Sequence, residues 1–412
     1  MHRLVIVGAS LAGLRAGQAA RAAGFDGELV MVGDERHLPY TRPPLSKELL
    51  AGEHSVDRVS LPCDKLDAEW RLDVAAASLD RRRRCVVLAD GDEVAYDRLI
   101  VATGSRARSW PGAGADLESV HVLRDLDDAL ALRAAFDEQP RVAIVGAGFI
   151  GCEVAQTARK AGLEVTLIDV AATPMLPLGA ELGAWCAELH REHGVDLRLG
   201  TGVAGLLGHR RVEAVELSDG EHVPADVVVV GLGALPNTEW LAGSGLQVDP
   251  GLACDATLTA TGDPDILGAG DIVSWPHPLA DGDAIRIEHW TVAAEQGQLA
   301  GRNALMSPDE RKPYDAPPYF WSDQYDVKIQ ALGLPGRADR LGILEESPDR
   351  SRVVYAGERD GQLVGVIAIN AARRLGAYRQ ALADPVAFEE LRARVAADPG
   401  ALGAPVGMGG RV

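Results

Sequence analysis

Apolar residues along this chain gather in short runs, and two of the runs carry the same punctuation. Leu4 to Val7 is continuously apolar. Gly8, Ser10 and Gly13 follow, then an alanine-rich stretch to about Ala23, then Gly24. An unbroken apolar run of this length predicts a strand covered on both faces. The alanine-rich stretch predicts a helix, and Gly24 suits its end because glycine accepts the left-handed conformation there. Leu29 to Val32 predicts the next strand, followed by Gly33-Asp34-Glu35. Val86 to Leu88, an Asp90-Gly91 turn and Leu99 to Ala102 complete the series.

From Val142 the order starts again. Val142 to Val145 predicts a strand, Gly146, Gly148 and Gly151 a glycine turn, and the residues to about Ala161 a helix stopped at Gly162. Val165 to Ile168 ends at Asp169. Val212 to Leu217, an Asp219-Gly220 turn and Val227 to Val230 lead into Gly231-Leu232-Gly233. Strand, glycine turn, helix, strand, acid, hairpin, strand, glycine is thus written twice, which predicts a duplicated dinucleotide-binding domain.

In such a fingerprint the first glycine permits the sharp turn, the second lets backbone approach a pyrophosphate, and the third lets helix and strand pack closely. The helix N-terminus then offers free N–H groups to the phosphates. The candidate binding turns are Gly8, Ser10, Leu11, Ala12 and Gly13 in the first copy, and Gly146, Gly148, Phe149, Ile150 and Gly151 in the second. Ser10 departs from the usual glycine but is small. Asp34 and Asp169 end their strands where an acid accepts ribose hydroxyls and repels a 2′-phosphate. Val170, Ala171 and Ala172 follow Asp169 with no arginine, so the second site is expected to prefer NADH to NADPH.

A third pattern begins near Pro313. APPYFWSDQYDVKIQALG, Ala316 to Gly333, precedes a strand pair near Arg352 to Ala356 and Leu363 to Ile369 joined at Asp360-Gly361, then a helix carrying Phe388, Leu391 and Val395. The expected fold is α/β: two Rossmann-like dinucleotide-binding domains, one discontinuous (1–112 and 242–312) and one continuous (113–241), plus a C-terminal α+β domain (313–412).

Composition narrows the function. With 412 residues, 47% of them hydrophobic, the chain suffices for two or three cores. A formal net charge of −19 argues against nucleic acid as a partner, and no apolar run is long enough to predict a membrane span. The one basic block, Arg81 to Arg84, is expected in a solvated turn. Five cysteines at 63, 85, 152, 186 and 254 show no metal-like or C-x-x-C spacing. With no signal-like start, these features predict a reduced, cytoplasmic protein without zinc or disulfides, and a monomer or weak dimer.

His37 to Leu50, HLPYTRPPLSKELL, makes the sequence specific. With LIVATG (Leu99 to Gly104) and ILGAGD (Ile266 to Asp271), the chain resembles the two-dinucleotide flavoprotein family of pyridine-nucleotide oxidoreductases over essentially its whole length. Within it the match is to single-chain ferredoxin reductases of the putidaredoxin reductase and biphenyl dioxygenase type, which feed haem-thiolate monooxygenases or Rieske oxygenases. The resemblance implies tightly bound, non-covalent FAD, NADH as co-substrate, and a small iron–sulfur ferredoxin as partner. It places FAD at Gly8 to Gly13, Asp34, Arg42, Lys47, Ala76, Ala102, Thr103, Gly104, Arg124, Asp271 and Trp290. It places NADH at Gly146 to Gly151, Glu153, Asp169, Gly231, Leu232 and Gly233. Lys47 would lie near the flavin ring, Glu153 near the nicotinamide, and Trp321 of FWSDQY between flavin and carrier. No side-chain acid–base pair is implied.

Each of these residues has a plainer reading. Arg42 suits a surface cation, Lys47 a solvated helix position, Glu153 a favourable charge in the first turn of its helix, and Trp321 a core tryptophan. The lack of any cysteine from Met1 to Pro62 separates the chain from relatives that reduce disulfides or peroxides through a thiol. Cys152 reads as a packing residue. Two rival functions share the motifs: reduction of rubredoxin or another acceptor, and an NADH redox sensor resembling apoptosis-inducing factor. An acidic protein needs a local patch to dock an acidic ferredoxin, and Arg302, Arg311, Lys312, Arg373, Arg374 and Arg379 are the candidates.

Overall fold

Arg3–Val7 is the middle strand of a five-stranded sheet with the order Ile266–Gly268, Arg98–Val101, Arg3–Val7, Glu28–Val32, Glu69–Arg71. All four neighbouring pairs are parallel. Leu4, Val5 and Ile6 are sealed from solvent, as an unbroken apolar run requires in a sheet covered on both faces. The crossover to Glu28–Val32 is the helix Leu11–Ala22. The helix Trp290–Asn303 crosses it so closely that a Cβ at Gly297 would lie 2.3 Å from the carbonyl oxygen of Ala12. An antiparallel sheet of Ala76–Asp80, Cys85–Leu88 and Glu93–Ala95 completes this part. The short edge strand Glu69–Arg71 gives no periodic signal of its own and was not expected.

The second copy repeats this order. Its sheet runs Asp196–Leu199, Val165–Asp169, Val142–Val145, Val227–Val230, Val120–His121, again parallel throughout. Phe149–Lys160 is the crossover helix. Val203–Gly208, Val212–Leu217 and His222–Pro224 form the matching antiparallel sheet.

The structure, a computed structural model, describes residues 1–347, 351–383 and 386–397. Two compact units contain them. One comprises Met1–Thr41, Ser60–Arg106 and Pro236–Phe320; the other comprises Arg42–Val59, Ala107–Leu235 and the described residues from Trp321 onward. The segments expected as one discontinuous domain, 1–112 and 242–312, therefore lie in the first unit except for Arg42–Val59 and the residues after Arg106. The second and third expected domains share the second unit except for 236–241 and 313–320, which lie in the first, and 398–412 lies outside the described residues.

The third region is a five-stranded sheet ordered Tyr319–Gln324, Val327–Gly333, Gln362–Ile369, Val353–Arg359, Arg340–Glu346. Asp360 and Gly361 join Val353–Arg359 to Gln362–Ile369 with φ of +50° and +77°. A two-residue turn with both central φ values positive matches the twist of the strands it joins. Phe388, Leu391 and Val395 are the buried face of the helix Phe388–Ala397. Arg340–Glu346 was not expected from sequence: a register break between Ile343 and Glu345 interrupts its alternation.

Several arginines depart from expectation. Arg81 is not solvated; it pairs with Asp263 at 2.8 Å and donates to the carbonyl oxygens of Ser244 and Gly262. Arg82, Arg83 and Arg84 are exposed in the expected turn, where Arg84 pairs with Asp265. Among the docking candidates, Arg311 is buried, its guanidinium satisfied by Asn303 O, Thr259 Oγ1 and Pro264 O. Arg374 pairs with Glu345 at 2.6 Å. Both brace the fold. Arg302, Lys312 and Arg373 are exposed.

Candidate cofactor sites

In the first unit the chain leaves Arg3–Val7 at Gly8, with φ of +117°. A Cβ there would lie 2.0 Å from the carbonyl oxygen of Ala102, and one at Gly13 would lie 1.9 Å from that of Gly8. Only hydrogen fits at either place. Ser10 is different. It precedes the helix in an extended conformation, φ −108° and ψ −157°, which any residue adopts, so serine at the middle position costs nothing in backbone strain. Its side chain makes no capping bond and the first helical turn holds no acid. The N-terminal N–H groups and the positive end of the helix dipole are therefore left for an anion. Leu11 and Ala12 are buried and hold that turn against the sheet.

Other expected residues of this unit form the surroundings. Thr103 and Asn237 are tied by Thr103 Oγ1 to Asn237 O at 3.0 Å and Asn237 Nδ2 to Thr103 O at 2.8 Å. Gly104 has φ of +63° with open space where a Cβ would point. Asp271 Oδ2 accepts from Ser105 Oγ at 3.0 Å. Trp290, half-buried, donates from Nε1 to Thr41 Oγ1 at 3.1 Å. Beside it the ring of His289 rests 4.8 Å from that of Phe320, and burial pushes this imidazole down to about 4, against the opposing pull of Asp271. Gln296 accepts from Gly270 N at 2.9 Å, while its Nε2 is buried without a partner. Asp34 is exposed at the end of Glu28–Val32. Ala76 begins its strand just after Val74, whose N–H donates to Gly33 O at 3.0 Å. An uncapped helix terminus, an open glycine and an orphaned buried amide beside Gly270–Asp271 fit a phosphate-bearing cofactor.

In the second unit Gly146, φ +109°, repeats Gly8: a Cβ there would meet Gly231 O at 2.3 Å, and one at Gly151 would meet Gly146 O at 2.0 Å. At Gly148 a Cβ would meet nothing within 4 Å, so this glycine keeps a space open and packs against nothing. Gly148 makes no side-chain cap and the first turn again lacks an acid. Phe149 is half-buried and Ile150 exposed. Asp169 braces the turn, Oδ2 accepting from Ala147 N at 2.6 Å and Oδ1 from Ala171 N at 2.7 Å. Each oxygen retains acceptor capacity for a hydroxyl. Val170 beside it is exposed. Leu232 packs on the core, and Gly233, φ +83°, faces open space.

Glu153 corrects its sequence reading. It lies in the second turn of Phe149–Lys160, too far along to serve as a first-turn charge, and only 4% of it is exposed. Its Oε2 accepts from Lys47 Nζ and from Ser46 Oγ, each at 2.6 Å, and its Oε1 from Ser322 Oγ at 2.7 Å. Lys47 is therefore no solvated helix residue: its side chain is 11% exposed. Ser46 is further fixed by Thr157 Oγ1, which donates to its carbonyl oxygen at 2.7 Å. Arg42 is not a plain surface cation either, since its Nη1 donates to the carbonyl oxygen of Arg124 at 2.7 Å. Trp321 is half-buried. Sequence reasoning missed Ser46, Ser322 and Gln324; the sole signal was the alternation in FWSDQ, which buries Ser322 and Gln324 on one side of their strand.

All five cysteines are free and buried. Burial pushes the thiols of Cys63 and Cys152 up, Cys152 far up, away from the reactive thiolate. Cys152 donates weakly to Ala147 O at 3.5 Å, as a packing residue does.

Residues 2–297 match the family described as pyridine nucleotide-disulphide oxidoreductase, and 319–401 match the reductase C-terminal family. The ferredoxin–NAD(+) reductase component of the anthranilate 1,2-dioxygenase system of Burkholderia cepacia is 39% identical over 92% of this chain and 93% of its own. Putidaredoxin reductase of Pseudomonas putida is 35% identical over 94% and 93%. Among solved structures, the covalent putidaredoxin reductase–putidaredoxin complex superposes with a TM-score of 0.88 at 33% identity, covering 95% of each chain.

Proposed function

The chain belongs to the pyridine nucleotide-disulphide oxidoreductase family, and from that membership we propose that it is an FAD-dependent NADH:ferredoxin reductase serving an oxygenase system. FAD, held tightly and non-covalently, supplies the step from a two-electron hydride donor to one-electron delivery. The observation that carries this reading is the duplicated, uncapped fingerprint joined to a C-terminal domain shared with ferredoxin reductases.

The division of labour follows. Residues 1–112 and 242–312 bind FAD, 113–241 bind NADH, and 313–412 dock the partner. The helix terminus at Ser10 to Gly13 holds the FAD pyrophosphate and Asp34 its ribose. Ala76 lies by the adenine, Ala102 to Gly104 cover the cofactor, Asp271 orients the ribityl chain, and Trp290, Arg42, Lys47 and Arg124 complete the contacts. Gly146 to Gly151 hold the NADH pyrophosphate, Gly148 leaving the room; Asp169 takes the ribose hydroxyls, and Gly231 to Gly233 with Glu153 line the nicotinamide end. Burial of Cys63 and Cys152 supports electrons leaving without a protein thiol. Trp321 serves the docking face for a small iron–sulfur ferredoxin. The enzyme works in the cytoplasm as a monomer or weak dimer.

The test is an acceptor panel with the purified yellow protein. Heat-released flavin is FAD, and a [2Fe–2S] ferredoxin accepts electrons faster than rubredoxin, nitrite or a quinone. Trp321→Ala slows ferredoxin reduction about tenfold, roughly 1.4 kcal/mol of barrier, and leaves flavin reduction by NADH nearly unchanged. Release of FMN, or equal rates with every acceptor, contradicts the proposal.

A further inference from the structure

Glu153 ends a chain of buried hydrogen bonds that starts at Gln324. Ser322, 1% exposed, gives its one hydroxyl proton to Glu153 Oε1. A carboxylate only accepts, so the direction of that bond is settled. The Ser322 oxygen in turn accepts from Gln324 Nε2 at 3.0 Å. Gln324 and His190 are fully buried, and neither Gln324 Oε1 nor His190 Nε2 has a hydrogen-bond partner. His190 Nδ1 faces the hydroxyl of Tyr325 at 3.2 Å. With Tyr325 donating to Nδ1, the neutral imidazole carries its proton on Nε2. From Gln324 the donors run one way, through Ser322 to Glu153. The amide of Gln324 holds its protons as an amide, so the chain orients groups and does not conduct protons.

We propose that Ser322 is a positioning residue of the reductase: its hydroxyl, oriented by Gln324, fixes the rotamer of Glu153 and through it the place of the Lys47 ammonium. The strand bearing Trp321 thereby sets the charge pair. A free Glu side chain has several rotamers, and with Lys47 and Ser46 both on Oε2, the Ser322 bond alone holds Oε1 among the described contacts. The inference rests on the reading that Lys47 and Glu153 serve the flavin and the nicotinamide.

The experiment follows flavin reduction by NADH in stopped flow, together with the flavin midpoint potential and the NAD+ dissociation constant. Ser322→Ala keeps its FAD, lowers the reduction rate about tenfold and moves the potential in the same direction as Lys47→Gln. Ser322→Thr, which keeps the hydroxyl, stays within about threefold of the parent. Gln324→Leu, which frees the Ser322 hydroxyl to turn, gives a smaller loss of the same kind. The double variant Glu153→Gln with Ser322→Ala is no slower than Glu153→Gln alone, because Ser322 acts through Glu153. Independent, multiplying losses, or an unchanged rate and potential in both Ser322→Ala and Gln324→Leu, overturn the proposal. If Lys47→Gln itself moves neither rate, potential nor NAD+ affinity while FAD stays bound, the site reading falls and the proposal with it.

Discussion

Replacing Lys47 by methionine tests whether the Lys47–Glu153 pair is a buried ion pair in energy as well as in geometry. The two side chains are 11% and 5% exposed and their charged atoms 2.6 Å apart. Exposed pairs contribute about 0–1 kcal/mol, whereas removing one partner of a buried pair costs about 3–5 kcal/mol. Lys47→Met leaves Glu153 with two hydroxyl donors, Ser46 and Ser322, so the cost should sit near the lower end, about 3 kcal/mol. Glu153→Leu strands an ammonium and deprives both hydroxyls of their acceptor, so it should sit near about 5 kcal/mol. The double variant removes both charges and should cost less than Glu153→Leu alone. Hydrogen exchange of peptides covering Phe149–Lys160 reads the local opening free energy. Lys47→Met should speed exchange there by about a hundredfold or more, since about 1.4 kcal/mol is tenfold. A change under about threefold, or single costs that simply add in the double variant, would refute the reasoning.

Nucleotide choice is tested at Asp169: Asp169→Ser with Val170→Arg removes a repulsive carboxylate and adds a phosphate partner, so kcat/KM should fall for NADH and rise for NADPH; a parent that prefers NADPH contradicts the assignment. Cys63→Ser and Cys152→Ser should leave NADH-dependent dye reduction within about threefold, and a hundredfold loss with FAD retained, about 2.7 kcal/mol of barrier, would show a thiol in turnover. Burial pushes His190 down to about 4 from the ordinary 6.5. The unfolded chain binds this proton below 6.5 and the folded chain does not until about 4, so stability is fully present above 6.5, falls as the pH drops through that window, and levels off below it. Thermal midpoints from pH 7 to 4 should show that fall, and His190→Phe should flatten part of it; an unchanged slope contradicts a neutral buried imidazole.

Local signals made much of this protein legible. Gly8 and Gly146 are required by a left-handed turn against a neighbouring carbonyl, so they stand in the sequence at the end of each apolar run. Strands buried on both faces read as unbroken apolar runs. What stayed hidden depends on residues distant in sequence. Glu153 and Ser322 are 169 positions apart, and nothing near either announces the other, so neither reading of Glu153, nicotinamide neighbour or first-turn charge, included the buried hub. Arg311 read as a docking-patch candidate because its three acceptors lie 8, 52 and 47 positions away. Ser10 departs from the usual glycine, and its extended backbone explains why serine suffices.

The central claim is that NADH delivers a hydride to bound FAD and that a small iron–sulfur ferredoxin collects the electrons one at a time. Anaerobic sequential-mixing stopped flow tests it most directly, with the enzyme first mixed with one equivalent of NADH and then with excess oxidised ferredoxin. The account predicts bleaching of the oxidised-flavin absorbance in the first mix. In the second it predicts full return of that absorbance with two ferredoxins reduced per NADH. Bleaching without return on adding ferredoxin, or ferredoxin reduced while the flavin stays oxidised throughout, would contradict it.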